Sequence, residues 1–213
     1  MPNWCNNSIT LKHDDPAMIA KAAQALAEGK FLETFIPIPP ELKDTVAPSV
    51  NSAVSVTYNG ATYNDWYGFC VNEWGTKWDV ESYGGTDISD DGLTLHDGFD
   101  SAWAPPTQAY NRLEELGFTV EALYYEPGCS FCGEYSDGYD SQYEIPGTAD
   151  DVDAEIPAHI NEAFAIAENM REWEQEQEEF DAEPLAEAFD DERIDIVGQN
   201  GNDGLHYDEI EGK

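Results

Sequence analysis

The chain has few basic residues. Lysine and arginine together number 9, against 45 aspartates and glutamates in 213 residues, so the formal net charge is −36 at pH 7. A surface of this sign repels nucleic acid and anionic membranes and attracts basic proteins. The composition therefore predicts no direct binding of nucleic acid or membrane, and it predicts a basic protein as the partner.

Long apolar runs are also missing. No segment is long and apolar enough to span a membrane, and the N-terminus lacks the basic and then apolar order of a signal peptide. We therefore expect a soluble, cytoplasmic protein. The four cysteines, Cys5, Cys70, Cys129 and Cys132, would stay reduced in that compartment.

Motifs for catalysis are absent as well. The chain has four histidines, and it contains neither a Gly-x-Ser-x-Gly elbow nor a glycine-rich phosphate loop. His96 alternates with Leu93 and Leu95 on a predicted sheet face, where a structural histidine is commoner than a catalytic base. Carboxylates are so numerous that no pair stands out for acid–base chemistry. We predict no enzyme activity, no catalytic residue and no cofactor.

A metal site has only partial support. Cys129 and Cys132 have the spacing of zinc ligands, but a tetrahedral zinc site needs four ligands, and the other candidates are scattered. The acidic turns around Asp90 and Asp137 lack the full calcium-loop pattern and fit ordinary turn chemistry. The sequence therefore predicts no metal centre.

The first half of the chain is organised around residues 72–106, which contain three tryptophans. Two alternating runs, 78–83 and 93–99, flank a Gly/Asp turn and predict two strands. Before them, residues 8–12 read as a strand and a helix follows, capped by Asp14 or Asp15. Residues 31–42 contain three prolines and predict an extended apolar segment.

The second half continues with a helix over 107–116, ended by Gly117, and a strong strand over 118–125. Asp137-Gly138 then predicts a hairpin. The order is β-α-β-β-α-β, so we predict an α+β fold with a ferredoxin-like antiparallel sheet, an extra hairpin and an acidic helical C-terminal extension.

Several motifs resemble a known family. The opening residues 1–7, residues 74–79 and 103–106, and the segments 31–42 and 126–133 are similar to a phage- and plasmid-encoded family of YubB-like proteins. The resemblance covers about the first two-thirds of the chain. It implies a ferredoxin-like domain and a mobile-element origin, hence a host-cell cytoplasm, and it offers no catalytic residue. The acidic C-terminal extension departs from the family pattern.

That extension predicts a long helix. Its apolar stripe comprises Ile160, Phe164, Ala167, Met170 or Arg171, and Phe180, and it would dock on the domain. We predict three parts: a domain over 1–149, the acidic helical extension over 150–197 and a flexible tail over 198–213. The expected partner-binding carboxylates are Glu172, Glu174, Glu176, Glu178, Glu179, Asp181, Glu183, Glu187, Asp190, Asp191 and Glu192.

Carboxylates at helical spacing repeat about every 6 Å, close to the roughly 7 Å between phosphates along a DNA strand. We therefore expect a DNA-mimic inhibitor of a basic, DNA-binding defence or restriction protein of the host. The alternative is an accessory or structural phage protein that binds its partner through an aromatic sheet face. In that case the acid serves solubility or salt adaptation, or forms a solvated tail.

Overall fold

The computed structural model describes residues 3–48 and 53–182. Within them the chain combines helices with a six-stranded sheet and a separate two-stranded hairpin, and every strand pairing is antiparallel. The prediction of an α+β fold with an antiparallel sheet is confirmed. The strands are β1 (Trp4–Lys12), β2 (Val56–Tyr58), β3 (Ala61–Tyr63), β4 (Asp87–Ile88), β5 (Thr94–Ala102), β6 (Thr119–Glu126), β7 (Phe131–Ser136) and β8 (Tyr139–Glu144).

The main sheet has the order β4-β5-β1-β6-β7-β8, so β1 lies inside it and β4 and β8 are its outer strands. β1 pairs along its whole length with β5, from Trp4 opposite Ala102 to Lys12 opposite Thr94. The predicted hairpin is confirmed as β7 and β8. Its turn residues Asp137 and Gly138 both have positive φ, at 52° and 78°, as a two-residue hairpin turn favours.

Some of the helices begin at a residue whose own side chain caps them. Asp15 accepts the backbone N–H of Ala17 at the start of α1, and Asp65 accepts that of Gly68 at the start of α4. The helices are α1 (Pro16–Ala27), α2 (Phe31–Phe35), α3 (Pro40–Lys43), α4 (Trp66–Glu73), α5 (Thr107–Glu115), α6 (Ala149–Glu155), α7 (Ala158–Phe164) and α8 (Ile166–Ala182).

The sheet has an apolar cluster on each face. Alternate residues of β6 point in opposite directions: Val120 and Ala122 join the larger core with α1 and α5, whereas Leu123 and Tyr125 join the smaller core with α6, α7 and α8. The predicted docking stripe is confirmed at Ile160, Phe164, Ala167 and Met170, all of which belong to the smaller core. Phe180 does not contribute, since 74% of it is exposed.

The predicted strand over 78–83 is wrong. Only Ser82 makes a bridge, opposite Phe99. The segment gives its hydrogen bonds elsewhere: the N–H of Ser82 donates to the carbonyl of Leu26 in α1, and that of Tyr83 donates to Gly98. These partners belong to different elements, so no ladder forms.

The prediction of an extended segment over 31–42 is also wrong, because the segment contains α2 and the first three residues of α3. The first turn of α2 is capped from a distance: Asp79 accepts the N–H groups of Leu32 and Glu33 at 2.7 and 2.9 Å. In α3, Pro40 occupies the first helical position, where the missing N–H costs nothing.

The predicted single helix of the extension is interrupted at Ala165. This residue has a left-handed backbone with φ 50° and ends α7. The side-chain oxygen of Asn161 accepts the N–H of Ala167 at 2.9 Å and so supplies a partner at the start of α8. The break lets α7 and α8 present separate faces to the smaller core.

The chain divides into two compact units, Met1–Trp173 and Glu174–Lys213. The first contains the sheet, both cores and helices α1 to α7. Among the described residues no helix combines the length and the hydropathy that a membrane span requires. The predicted division at residues 149 and 197 stays a prediction, and the predicted tail over 198–213 lies outside the described residues.

Candidate functional site

The predicted acidic site lies partly on α8. Glu172 is exposed near the end of the first unit, and in the second unit Glu176 and Glu178 are exposed and Glu174 is half-buried. The backbone of Glu179 and Asp181 belongs to the same helix. Five further predicted residues fall outside the described part of the chain: Glu183, Glu187, Asp190, Asp191 and Glu192.

Most described basic side chains are already paired with carboxylates. Lys12 binds Glu121 at 2.8 Å and Lys43 binds Glu33 at 2.5 Å. Two arginines do the same, as Arg112 pairs with Glu115 and Arg171 with Asp153. Arg171 holds the pKa of the Asp153 carboxyl below its ordinary value by hydrogen bonding to the charged form. Four of the seven described lysines and arginines are thus neutralised locally.

The aromatic residues divide between core and surface. Trp74 is buried and its indole N–H donates to the carbonyl of Ile36 at 2.9 Å, and Tyr124 is also buried. In contrast, Trp4, Trp78 and Trp103 expose 46%, 39% and 51% of their surface. Of the three tryptophans in residues 72–106, Trp74 is therefore a core residue, whereas Trp78 and Trp103 remain accessible.

One cleft collects several exposed rings. It has a volume of about 470 Å³ and is lined by Ala47, Pro48, Trp66, Tyr67, Lys77 and Trp103. The ammonium of Lys77 lies 4.5 Å from the ring centre of Trp78 and 5.8 Å from that of Tyr67, within cation–π range. Volumes of about 300–1,000 Å³ with apolar walls and few polar groups are typical of small-molecule sites. We call this feature the Lys77 cleft.

A buried threonine holds the two sides of the Lys77 cleft together. The hydroxyl of Thr76 donates to the carbonyl of Ala102 at 2.9 Å and accepts the N–H of the same residue at 3.0 Å. Lys77 and Trp103 are the next residues on each side of this contact. Hydrogen bonds that are shielded from water therefore hold the backbone segments that lead into Lys77 and Trp103 against each other.

Trp103 has an unusual backbone. Its φ is 73°, in the left-handed region that bulky residues rarely adopt. Its N–H donates to the carbonyl of Asn3 at 2.9 Å, which ties this conformation to the start of β1. Strained residues of this kind persist only where their surroundings hold them, and they concentrate at binding sites.

Sequence reasoning missed the Lys77 cleft as a unit. Trp66, Lys77 and Trp103 come from three separate segments, and Tyr67 was not singled out. The local signal was the Trp66-Tyr67 pair directly after the helix cap Asp65, which predicts rings on the first turn of a helix.

The cysteine pair is divided between surface and core. Cys129 is exposed, whereas Cys132 is fully buried in the smaller core, and burial raises its pKa to about 11. Burial likewise raises the pKa of Cys5 and of Cys70 to about 12. In the described ranges no three histidine, cysteine or acidic side chains are grouped to hold a metal ion.

Two of the described histidines, His96 and His159, contact other side chains on the surface. The Nδ1 of His96 lies 2.8 Å from the hydroxyl of Thr10 on the neighbouring strand, and the Nε2 of His159 lies 2.8 Å from Glu134. Neither contact includes a nucleophile with a third, orienting group.

One distant structural similarity to a known protein is found. No protein-family model matches the chain, and no curated protein matches it. Among solved structures, it is similar to the crystal structure of a protein named api92 from Yersinia pseudotuberculosis, of family model DUF1281. The two share 11% sequence identity with a TM-score of 0.39, over 69% of this chain and 99% of that one.

Proposed function

We propose that this protein is a non-enzymatic, acidic inhibitor that binds a basic, DNA-handling protein of a host cell, such as a defence or restriction component. The observation that carries the proposal is the unbalanced surface. Six of the seven described lysines and arginines have a carboxylate partner or lie over an aromatic ring. In contrast, α8 carries a carboxylate at every second position from Glu172 to Glu178. Anions in excess on a helix attract a cationic surface that normally receives DNA.

The proposal also covers the genetic origin of the protein and the ferredoxin-like arrangement of its sheet. A phage or plasmid source of YubB-like type fits an inhibitor that acts in the cytoplasm of the host. The strand order β4-β5-β1-β6, with α1 following β1 and α5 joining β5 to β6, supports a ferredoxin-like plan to which β7, β8 and the C-terminal helices are added.

The test is capture of a host protein from lysate at graded salt, followed by competition with duplex DNA. We expect captured proteins to be basic and DNA-binding, and to be released as salt rises, because screening weakens ion pairs. Combining Glu172→Gln, Glu176→Gln and Glu178→Gln should weaken binding about ten-fold, since exposed ion pairs contribute about 0.2–1 kcal/mol each.

The matched control places the same three neutralisations elsewhere, as Glu41→Gln, Glu144→Gln and Glu155→Gln, at carboxylates that are also exposed. It should retain most of the affinity. Equal losses in the two triple variants would show that only the total charge matters, and binding that ignores salt would contradict the proposal.

A second candidate function is an accessory protein that binds its partner through exposed aromatic residues. The specific observation is that Trp4 and Trp78 form an exposed pair with ring centres 6.0 Å apart. In that case Trp4→Ala abolishes capture, while the triple glutamine variants of α8 leave it intact.

A further inference from the structure

The Lys77 cleft differs in charge from the rest of the chain. No acidic residue is among its described lining residues, although the chain carries 45 acidic residues. The one charged lining side chain is Lys77. The cleft is therefore a local exception to a surface whose other features favour cations.

Lys77 also differs from most of the other described cations. Lys12, Lys43, Arg112 and Arg171 each have a carboxylate partner, whereas no ion pair joins Lys77 to a carboxylate of the described chain. Its ammonium lies beside the rings of Tyr67 and Trp78 instead. An ammonium has three donors, and ring faces do not satisfy them as an anion does.

The walls of the cleft indicate what kind of molecule would bring an anion to Lys77. Trp66, Tyr67 and Trp103 offer ring surface, and half of Trp103 is exposed. Aromatic rings stack on other planar rings with centres about 4.5–7 Å apart. The Thr76 hydroxyl holds the chain just before Lys77 against the chain just before Trp103. The two side chains therefore start from neighbouring positions, and one ligand that carries a ring and an anion can reach both.

We propose that the Lys77 cleft binds a small molecule in which a planar aromatic ring carries one carboxylate. The ring packs on Trp103 and the carboxylate pairs with the Lys77 ammonium. A single negative charge matches a single ammonium. A phosphate monoester carries about −1.5 to −2 at neutral pH and would meet more of the repulsion from a chain of net charge −36. This site is independent of the acidic helix.

The test uses three probes of nearly equal shape and different charge: indoleacetate, indoleacetamide and tryptamine. Binding is followed through the indole N–H signals of the six tryptophans in a proton–nitrogen correlation spectrum of the full chain. We expect indoleacetate to shift the Trp103 signal at millimolar concentration, the amide to bind at least about ten-fold more weakly and the amine to bind least. This order follows from a charge-assisted contact of about 1.5–3 kcal/mol.

Two substitutions separate the contributions of charge and ring. Lys77→Met should reduce indoleacetate binding to the level of the amide, whereas Lys21→Met, which removes another lysine positioned over a ring, should leave it unchanged. Trp103→Gly removes the stacking surface at a position whose positive φ suits glycine, so it should fold normally and lose binding. Trp173→Ala, at an exposed tryptophan of α8, is its control.

The proposal is overturned if indoleacetate produces no shift at millimolar concentration, or if the three probes bind equally. It is also overturned if tryptamine binds best, because that result would identify a site for cations. Retention of the preference for indoleacetate in Lys77→Met would show that another group recognises the carboxylate.

Discussion

Asp79 shows how one side chain can determine local structure far from it in sequence. Its carboxylate accepts the N–H groups of Leu32, Glu33 and Val80, with distances of 2.7, 2.9 and 2.8 Å. Burial raises the pKa of Asp79 above its ordinary value, although these three donors favour the charged form. The carboxylate thus caps a helix at some cost in desolvation.

We expect Asp79→Ala to lower the free energy of unfolding by about 0.5–2 kcal/mol, the usual cost of a lost helix cap. Urea denaturation measures the change. Asp90→Ala, at an exposed aspartate of a turn, is the control and should change stability little. An Asp79→Ala variant as stable as the parent would mean that water replaces the carboxylate at α2.

The pH dependence of the same residue has a definite sign. Because folding raises the pKa of Asp79, folding favours its protonated form. Its contribution to stability is therefore fully present below the unfolded pKa and is lost as pH rises through the folded pKa. The asparagine of the Asp79→Asn variant cannot titrate. As pH rises through that window, the free energy of unfolding of the parent should therefore fall relative to that of the variant.

At the scale of elements, the break between α7 and α8 depends on Ala165. An L-residue in the left-handed region costs about 1–2 kcal/mol, and glycine avoids this cost while losing about 0.5–1 kcal/mol of chain entropy. We expect Ala165→Gly to raise the free energy of unfolding by about 0.5–1 kcal/mol. Thermal and urea unfolding both report this change.

The same substitution two residues earlier should have the opposite effect. Ala163 is exposed and lies inside α7, where glycine costs about 1 kcal/mol relative to alanine. Ala163→Gly should therefore destabilise the protein. If both variants lose stability equally, α7 and α8 are continuous in solution.

Elements with local signals were predictable from sequence, and those that depend on distant partners were not. Asp137-Gly138 specifies the β7–β8 turn, and Asp65 specifies the start of α4, because each acts on its own neighbours. Residues 78–83 alternate like a strand, yet the N–H groups of Ser82 and Tyr83 donate to carbonyls of two different elements, at Leu26 and Gly98. No glycine or proline marks the break at Ala165, so the period of the apolar residues predicted one long helix.

The same distinction applies to the candidate sites. Composition alone pointed to the carboxylates of α8, because a charge surplus is visible without a structure. The Lys77 cleft depends on a contact between Thr76 and Ala102, which are distant in sequence, and no periodicity shows that contact.

For the whole molecule, the net charge of −36 should govern how stability responds to salt. Like charges repel in the folded state, and the Debye length falls to about 10 Å at 0.1 M salt. We expect the melting temperature at pH 7 to rise with sodium chloride. The rise should be smaller near pH 4, where aspartate and glutamate, with ordinary pKa values of about 3.9 and 4.3, are partly neutral.

Scanning calorimetry over a salt series at both pH values tests this expectation. A melting temperature that falls with salt at pH 7 would indicate that attractive ion pairs, such as that of Lys12 with Glu121, outweigh the repulsion.

The outer strands of the main sheet have a consequence for self-association. β4 has only two residues, and β8, whose outer edge pairs with no other strand of the described chain, carries exposed Asp140 and Glu144. A second copy that added a strand there would bring like charges side by side, and a two-residue edge offers too few hydrogen bonds to compensate. We therefore expect no fibril growth from either margin of the sheet in concentrated solution, as long as those carboxylates stay ionised.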